Sequence, residues 1–193
     1  MRNNLILQLY KKDQTVFTTK GLSLLFPETP YNRLTRKLSY YAKTGKISRP
    51  RRGIYVKDNF NPLELANKIY TPSYISLETV LKEAGIIFQE YDTVFLISYL
   101  TRKITCGGVK IYYRRVDSKV LLNKEGVKIG SNYSIASPER AFLDAVYLYK
   151  DYHFDNLNPL DWDKVRQLTS LYPTKTMKKR VKEYYKIYQK ENG

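Results

Sequence analysis

PYNRLTRKLSYYAKTGKISRPRRGIYVK, residues 30–57, changes its periodicity halfway along, and that change decides how the chain is read. Up to Gly45 the apolar positions Leu34, Leu38 and Tyr41 recur at helical spacing. Thr29 offers an N-cap and Pro30 a first helical residue, because proline lacks the N–H that a helix start leaves unpaired. Asn32, Arg33, Arg36, Lys37, Tyr40 and Lys43 are then turned away from the buried stripe. Beyond Gly45 the period becomes two. Pro50-Arg51-Arg52-Gly53 forms a turn, Ile54 and Val56 share one face, and Tyr55 takes the other.

A helix followed by a basic hairpin is the arrangement in which a winged helix-turn-helix meets DNA. The helix face suits a major groove. Lys43, Lys46, Arg49, Arg51, Arg52 and Lys57 crowd the second half with no acidic residue among them, which suits phosphates. Arg33, Arg36 and Lys37 are expected to help read bases, with Arg49, Arg51 and Arg52 anchoring the wing. The same basic surface also fits an acidic protein partner, which makes a non-enzymatic protein-interaction module the competing reading. RNA is a third partner class, although the 19 tyrosines are scattered and form no RNP-type pattern.

The rest of the N-terminal segment completes three helices and a hairpin. Residues 2–12 fit a first helix with Leu5, Ile6 and Leu9 inward, residues 13–15 a turn, and Val16-Phe17 an apolar link. Thr18 or Thr19 caps a second helix carrying Leu22, Leu25 and Phe26. Residues 1–57 hold a net charge of +11 out of +16 for the whole chain, so an anionic partner is expected at this end.

From Asn61-Pro62 a fresh helix begins, and residues 73–87 fit another, capped by Ser76 and stopped by Gly85. A β-rich middle follows: residues 93–99, then 103–106 and 109–114 about a Gly107-Gly108 turn, and short strands near 119–122, 126–129 and 133–136. Ser137-Pro138-Glu139 opens a helix. Within it Asp144 has no evident partner nearby in sequence and is read as a cap, salt bridge or surface residue. Residues 151–160 form a polar connection, residues 161–172 a helix, and a basic helix closes the chain. The fold expected is α+β: a winged helix-turn-helix over residues 1–58, then a small mixed α/β domain over 59–193 with a short sheet and C-terminal helices.

No catalytic constellation, phosphate-binding glycine loop, cofactor motif or metal-ligand spacing emerges; one histidine and one cysteine supply no usual zinc set. The chain is expected to be a non-enzyme without metal or cofactor. With no apolar run long enough for a bilayer and no secretion-like start, a cytoplasmic location is expected.

Three blocks carry a family resemblance: Gly53-Ile54-Tyr55-Val56 after the basic turn; Pro62 to Asn67 with Tyr70-Thr71-Pro72-Ser73-Tyr74-Ile75-Ser76-Leu77-Glu78 through Ile87; and Ile135 to Asp144. In their order and separation the chain resembles AbiEi-type antitoxins and transcriptional regulators of bacterial abortive infection systems. The resemblance implies a repressor whose winged helix binds inverted repeats in its own operon promoter. It also implies a C-terminal antitoxin domain opposing a nucleotidyltransferase-like toxin without a stable complex. Thr101, Arg102 and Lys103 are similar to the family's threonine and basic residues after the first sheet strand. Arg102 and Lys103, with Lys178, Lys179 and Arg180 of the last helix, are candidate auxiliary DNA contacts.

Overall fold

The computed structural model describes residues 5–130 and 132–192 and has an α+β architecture in which helices and strands alternate. The N-terminal unit runs α1 (Leu5–Tyr10), β1 (Val16–Thr18), α2 (Thr19–Leu25), α3 (Tyr31–Lys43), β2 (Ser48–Arg51) and β3 (Ile54–Val56). Residues 2–4 of the expected first helix lie outside the described residues, but Leu5, Ile6 and Leu9 do face inward. Val16-Phe17 is a strand rather than a link: it pairs antiparallel with β3, completing a sheet of order β1-β3-β2. Local sequence could not show this, since the partner lies some forty residues away.

Pro30 occupies the N-cap position of α3, with no side-chain cap, instead of the first helical position expected after Thr29. The far end of α3 follows chain chemistry closely. Gly45 adopts φ 67°, Lys46 N–H donates to the Tyr41 carbonyl at 2.9 Å, and Gly45 N–H donates to Ala42 at 3.4 Å. This doubly bonded termination needs a left-handed residue just past the helix, which glycine supplies without a Cβ clash. Leu34 and Leu38 are fully buried and join Leu9, Phe17, Leu22, Ile47 and Tyr55 in a small core.

Strand β3 is the wall between that core and a larger one. Ile54 and Val56, with Val16, face the main core, while Tyr55 points into the small one. The two-residue alternation legible in the sequence thus serves two interiors. Next comes α4 (Pro62–Ile69), started by Asn61, whose side chain accepts from Leu63 N–H. Its Glu64, 1% exposed, accepts from Thr15 N–H at 2.9 Å and from Thr15 Oγ1 at 2.5 Å. The Lys68 ammonium bonds the same carboxylate and donates to the Val16 carbonyl at 2.7 Å. Burial pulls the lysine downward while Glu64 works against that shift. Because Thr15 Oγ1 also accepts from Asn61 N–H, Thr15→Ala is expected to destabilise the protein by about 1–2 kcal/mol in urea unfolding.

The main core lies on a six-stranded mixed sheet of order β6-β7-β5-β4-β9-β8. Its strands are β4 (Ser73–Ile75), β5 (Thr93–Ser98), β6 (Arg102–Cys106), β7 (Val109–Arg115), β8 (Val127–Ile129) and β9 (Ser134–Ala136). The pairs β5–β7 and β4–β9 are parallel and the others antiparallel. The helices are α5 (Glu78–Glu83), α6 (Ser118–Leu122), α7 (Pro138–Leu148), α8 (Trp162–Thr169) and α9 (Lys175–Asn192).

Three expectations change here. Residues 73–75 are a strand, so the helix starts only at Glu78, and Ser76 is not its cap. Residues 118–122 form a helix instead of a strand, because the Asp117 side chain accepts from Lys119 N–H at 2.8 Å and caps the turn. Residues 151–160 are not merely a polar connection: Phe154, Leu157 and Leu160 are buried in the main core. Among the described residues no helix is long and apolar enough to cross a membrane.

At the centre of the main core lies a polar network. Arg140 and Asp144 are both inaccessible to solvent. Arg140 Nη1 donates to the Glu125 carbonyl at 2.7 Å; Nη2 donates to the Val120 carbonyl at 2.6 Å and the Tyr74 hydroxyl at 3.0 Å. Asp144 accepts from Ser76 and Tyr172 hydroxyls at 2.7 Å each and from Tyr74 at 3.2 Å, with Arg140 Nε 3.5 Å away. Burial pushes the Asp144 carboxyl up, and the guanidinium and hydroxyls oppose that shift. Asp144 is therefore a buried ion-pair residue with its charged partner one helical turn back.

Candidate nucleic-acid interface

The expected contact residues separate into groups. Asn32, Arg36, Tyr40 and Lys43 lie along one stripe of α3 and line a single depression with Tyr31, Thr35 and Ser39. Tyr40 is 58% exposed, its ring tilted against that of Tyr41 with the centres 6.0 Å apart. Arg33 and Lys37, one turn apart, line a different depression with Leu5, Phe26 and Glu28. The helix therefore offers two flanks, and the two residues expected beside Arg36 are on the other one. Glu28, just before α3, tempers the charge on that flank.

Four residues, Thr44 to Ile47, carry the chain from α3 into the β2–β3 hairpin. Lys46 is exposed, with its ammonium 6.0 Å from the centre of the Tyr41 ring. The turn is tighter than the tetrapeptide reading: Pro50 and Arg51 belong to β2, and only Arg52-Gly53 turns, with Gly53 at φ 79°. Arg49, Arg51 and Arg52 are all exposed. Arg49 packs its guanidinium over Tyr55, 5.7 Å from the ring centre, which orders its stem while leaving its donors outward.

Lys57 behaves differently from its basic neighbours. Its ammonium donates to the carbonyls of Tyr10, the last residue of α1, and of Lys12 just beyond it, so it ties the end of β3 to the first helix. Of the auxiliary candidates, Arg180 donates to the Val146 and Tyr149 carbonyls at 3.0 and 3.4 Å and closes the C-terminus of α7. Lys178 and Lys179 are exposed on α9. Arg102 and Lys103, adjacent on β6, point to opposite faces of the sheet as strand geometry requires.

Arg102 joins the hairpin through a residue the sequence reading had not singled out. The Tyr70 hydroxyl accepts from Arg51 Nη2 and Arg102 Nη1, each at 3.1 Å. The Arg51 hydrogen bond, followed by the positive charges, pulls the Tyr70 phenol below its ordinary value. Among the described residues neither guanidinium has a carboxylate partner. Two cations held on one phenol oxygen are ready to take up a phosphate between them. Only the Tyr70-Thr71-Pro72 block marked the position beforehand, and nothing in it pointed to Arg51.

No acidic residue lies between Tyr31 and Lys57. Among the described residues there is also no group of three His, Cys, Asp or Glu side chains placed to hold a metal ion. No protein-family model matches the chain, and no curated protein matches it in sequence.

Proposed function

We propose that residues 1–58 are a winged helix-turn-helix, with α3 as recognition helix and the β2–β3 hairpin as wing. The chain is then a sequence-specific DNA-binding autorepressor. The observation that carries this reading is the exposed Asn32, Arg36, Tyr40 and Lys43 stripe, joined by four residues to a hairpin of exposed arginines without an intervening carboxylate. Asn and Arg make bidentate contacts to adenine and guanine edges, and the hairpin guanidiniums suit phosphates. Arg33 and Lys37 serve the backbone on the other flank, and Arg102 extends the phosphate track beyond the wing. Residues 59–193 are a small mixed α/β domain. Following the family resemblance, that domain is the antitoxin half of a bacterial toxin–antitoxin pair, acting in the cytoplasm without catalysis or cofactor against a nucleotidyltransferase-like toxin.

Binding to the duplex upstream of the chain's own gene, compared with a scrambled duplex, tests this. Arg36→Ala is expected to reduce the ratio of the two affinities by about 1–3 kcal/mol while barely changing the scrambled-duplex affinity. Equal affinity for both duplexes at every salt concentration removes sequence-specific recognition. Capture of an acidic protein with no duplex binding at physiological salt replaces it with the protein-interaction reading.

A further inference from the structure

Tyr70 closes α4 just ahead of β4, where its ring stands edge-on to that of Tyr113 with the centres 5.0 Å apart. Tyr113 is fully buried and its hydroxyl donates to the Ala66 carbonyl at 2.6 Å, so the support beneath Tyr70 is fixed from inside the core. The hydroxyl end of the Tyr70 ring is at the surface, and both of its hydrogen bonds are exposed. One donor is Arg51 at the end of β2, the other Arg102 at the start of β6. Each guanidinium uses one nitrogen on this oxygen and makes no other hydrogen bond among the described residues.

Two other tyrosines accept from an arginine, and both differ in one respect. Tyr74 accepts from Arg140 and donates to Asp144; Tyr149 accepts from Arg114 and donates to Glu78. In each case a carboxylate on the same phenol balances the guanidinium. At Tyr70 two guanidiniums meet on one oxygen and no carboxylate accompanies them. The Arg51 hydrogen bond and the neighbouring charges also favour the phenolate, the nucleophilic form of this side chain.

We propose that Tyr70 is a phosphorylation site, at which a tyrosine kinase supplies the anion that Arg51 and Arg102 lack. The phenol oxygen attacks the terminal phosphorus of a nucleoside triphosphate; the new O–P bond forms as the bond to the β-phosphate oxygen breaks, the diphosphate leaves, and the phenolic proton passes to the kinase's general base. The added group stands one bond beyond Oη, between two guanidiniums whose unused N–H donors suit its oxygens. The consequence for DNA rests on the winged helix-turn-helix reading above. Arg51 and Arg102 are withdrawn from the phosphate track, and nearly two negative charges are set against the duplex.

The full chain with phosphotyrosine installed at position 70 by genetic code expansion tests the site and its consequence separately. Phosphorus NMR reads the site without DNA. The second ionisation of the phosphate, ordinarily at pH about 6, is expected to fall by about one unit, and Arg51→Gln with Arg102→Gln should return it. An unshifted ionisation overturns the site. Duplex affinity, operator and scrambled alike, is expected to fall by about fiftyfold at about 0.1 M salt, with the salt slope shallower by about 1.8. Tyr70→Phe, which keeps both arginines, should bind within about threefold of the unmodified chain; a loss matching that of the phosphorylated chain overturns the charge argument. Thermal melts establish that each protein is folded. Unchanged duplex affinity after phosphorylation overturns the regulation. Absence of duplex binding in both forms, with the ionisation still shifted, overturns the DNA-binding reading and leaves the phosphorylation site supported. Phosphopeptide mapping of the chain from its own cells is expected to find Tyr70 modified, and modification of the more exposed Tyr31 and Tyr40 alone overturns the assignment.

Discussion

Arg140→Ala is expected to lower the free energy of unfolding by about 3–5 kcal/mol, because it leaves the Asp144 carboxylate buried without its cation. The same change strips three oxygens of their donor at once: the carbonyls of Glu125 and Val120 and the Tyr74 hydroxyl. These belong to separate parts of the chain, so the loss loosens α6, the turn after it and β4 together. In a chain of this length the loss corresponds to roughly a 10 °C drop in Tm. Asp144→Ala is expected to cost a similar amount, since it unpairs Ser76, Tyr74 and Tyr172 hydroxyls as well as the guanidinium. Removing both side chains in the Arg140→Ala, Asp144→Ala double variant should cost clearly less than the sum of the single losses. Urea unfolding of the four proteins measures this cycle. Single losses below about 1 kcal/mol, or strict additivity, would show that the pair is not a coupled unit.

Replacing Arg49, Arg51 and Arg52 together by glutamine should reduce duplex affinity by a few hundredfold at about 0.1 M salt, operator and scrambled sequence alike. Each phosphate contact contributes about −0.9 to the slope of log K against log salt, so losing three makes the slope shallower by about 2.7. Fluorescence anisotropy across a salt series reads both quantities. The outcome separates roles along residues 31–57. A uniform loss with a shallower slope assigns the hairpin to the backbone, whereas loss of operator preference with an unchanged slope would move base reading to the hairpin and sink the assignment of α3. Arg51 differs from its neighbours in having a second attachment: Tyr70→Phe removes the oxygen that holds it beside Arg102.

Local patterns carried much of the fold. The Leu34 and Leu38 stripe, the period change at Gly45 and the Ser137 helix opening are readable because each depends on residues within a turn or two. What was not readable depends on distant pairing. Residues 73–75 contain nothing that distinguishes a strand from a helix start until β5 and β9 lie on either side of them. At residues 118–122 the apolar pair Val120-Leu121 suits either state, and the Asp117 cap decides.

The same division holds for the sites. Exposure of the hairpin arginines followed from their sequence, but the split of α3 into two flanks did not, because Leu5, Phe26 and Glu28 arrive from outside the helix. Asp144 illustrates the problem most directly. Arg140 stood four residues before it, at helical spacing, but α7 is buried on nearly every side, and a helix in that position offers no polar face from which to infer a surface pair.

The position of β3 has a practical consequence for anyone dividing the molecule. A fragment ending at Asp58 would keep Tyr55 in its own interior but present Val16, Ile54 and Val56 to water, along with the Thr15 and Val16 groups that now bond Glu64 and Lys68. Such a fragment would carry a sticky apolar stripe on the sheet that bears its basic hairpin. Polar replacements at those three positions, or a boundary placed after α4, are the rational ways to obtain the N-terminal half alone.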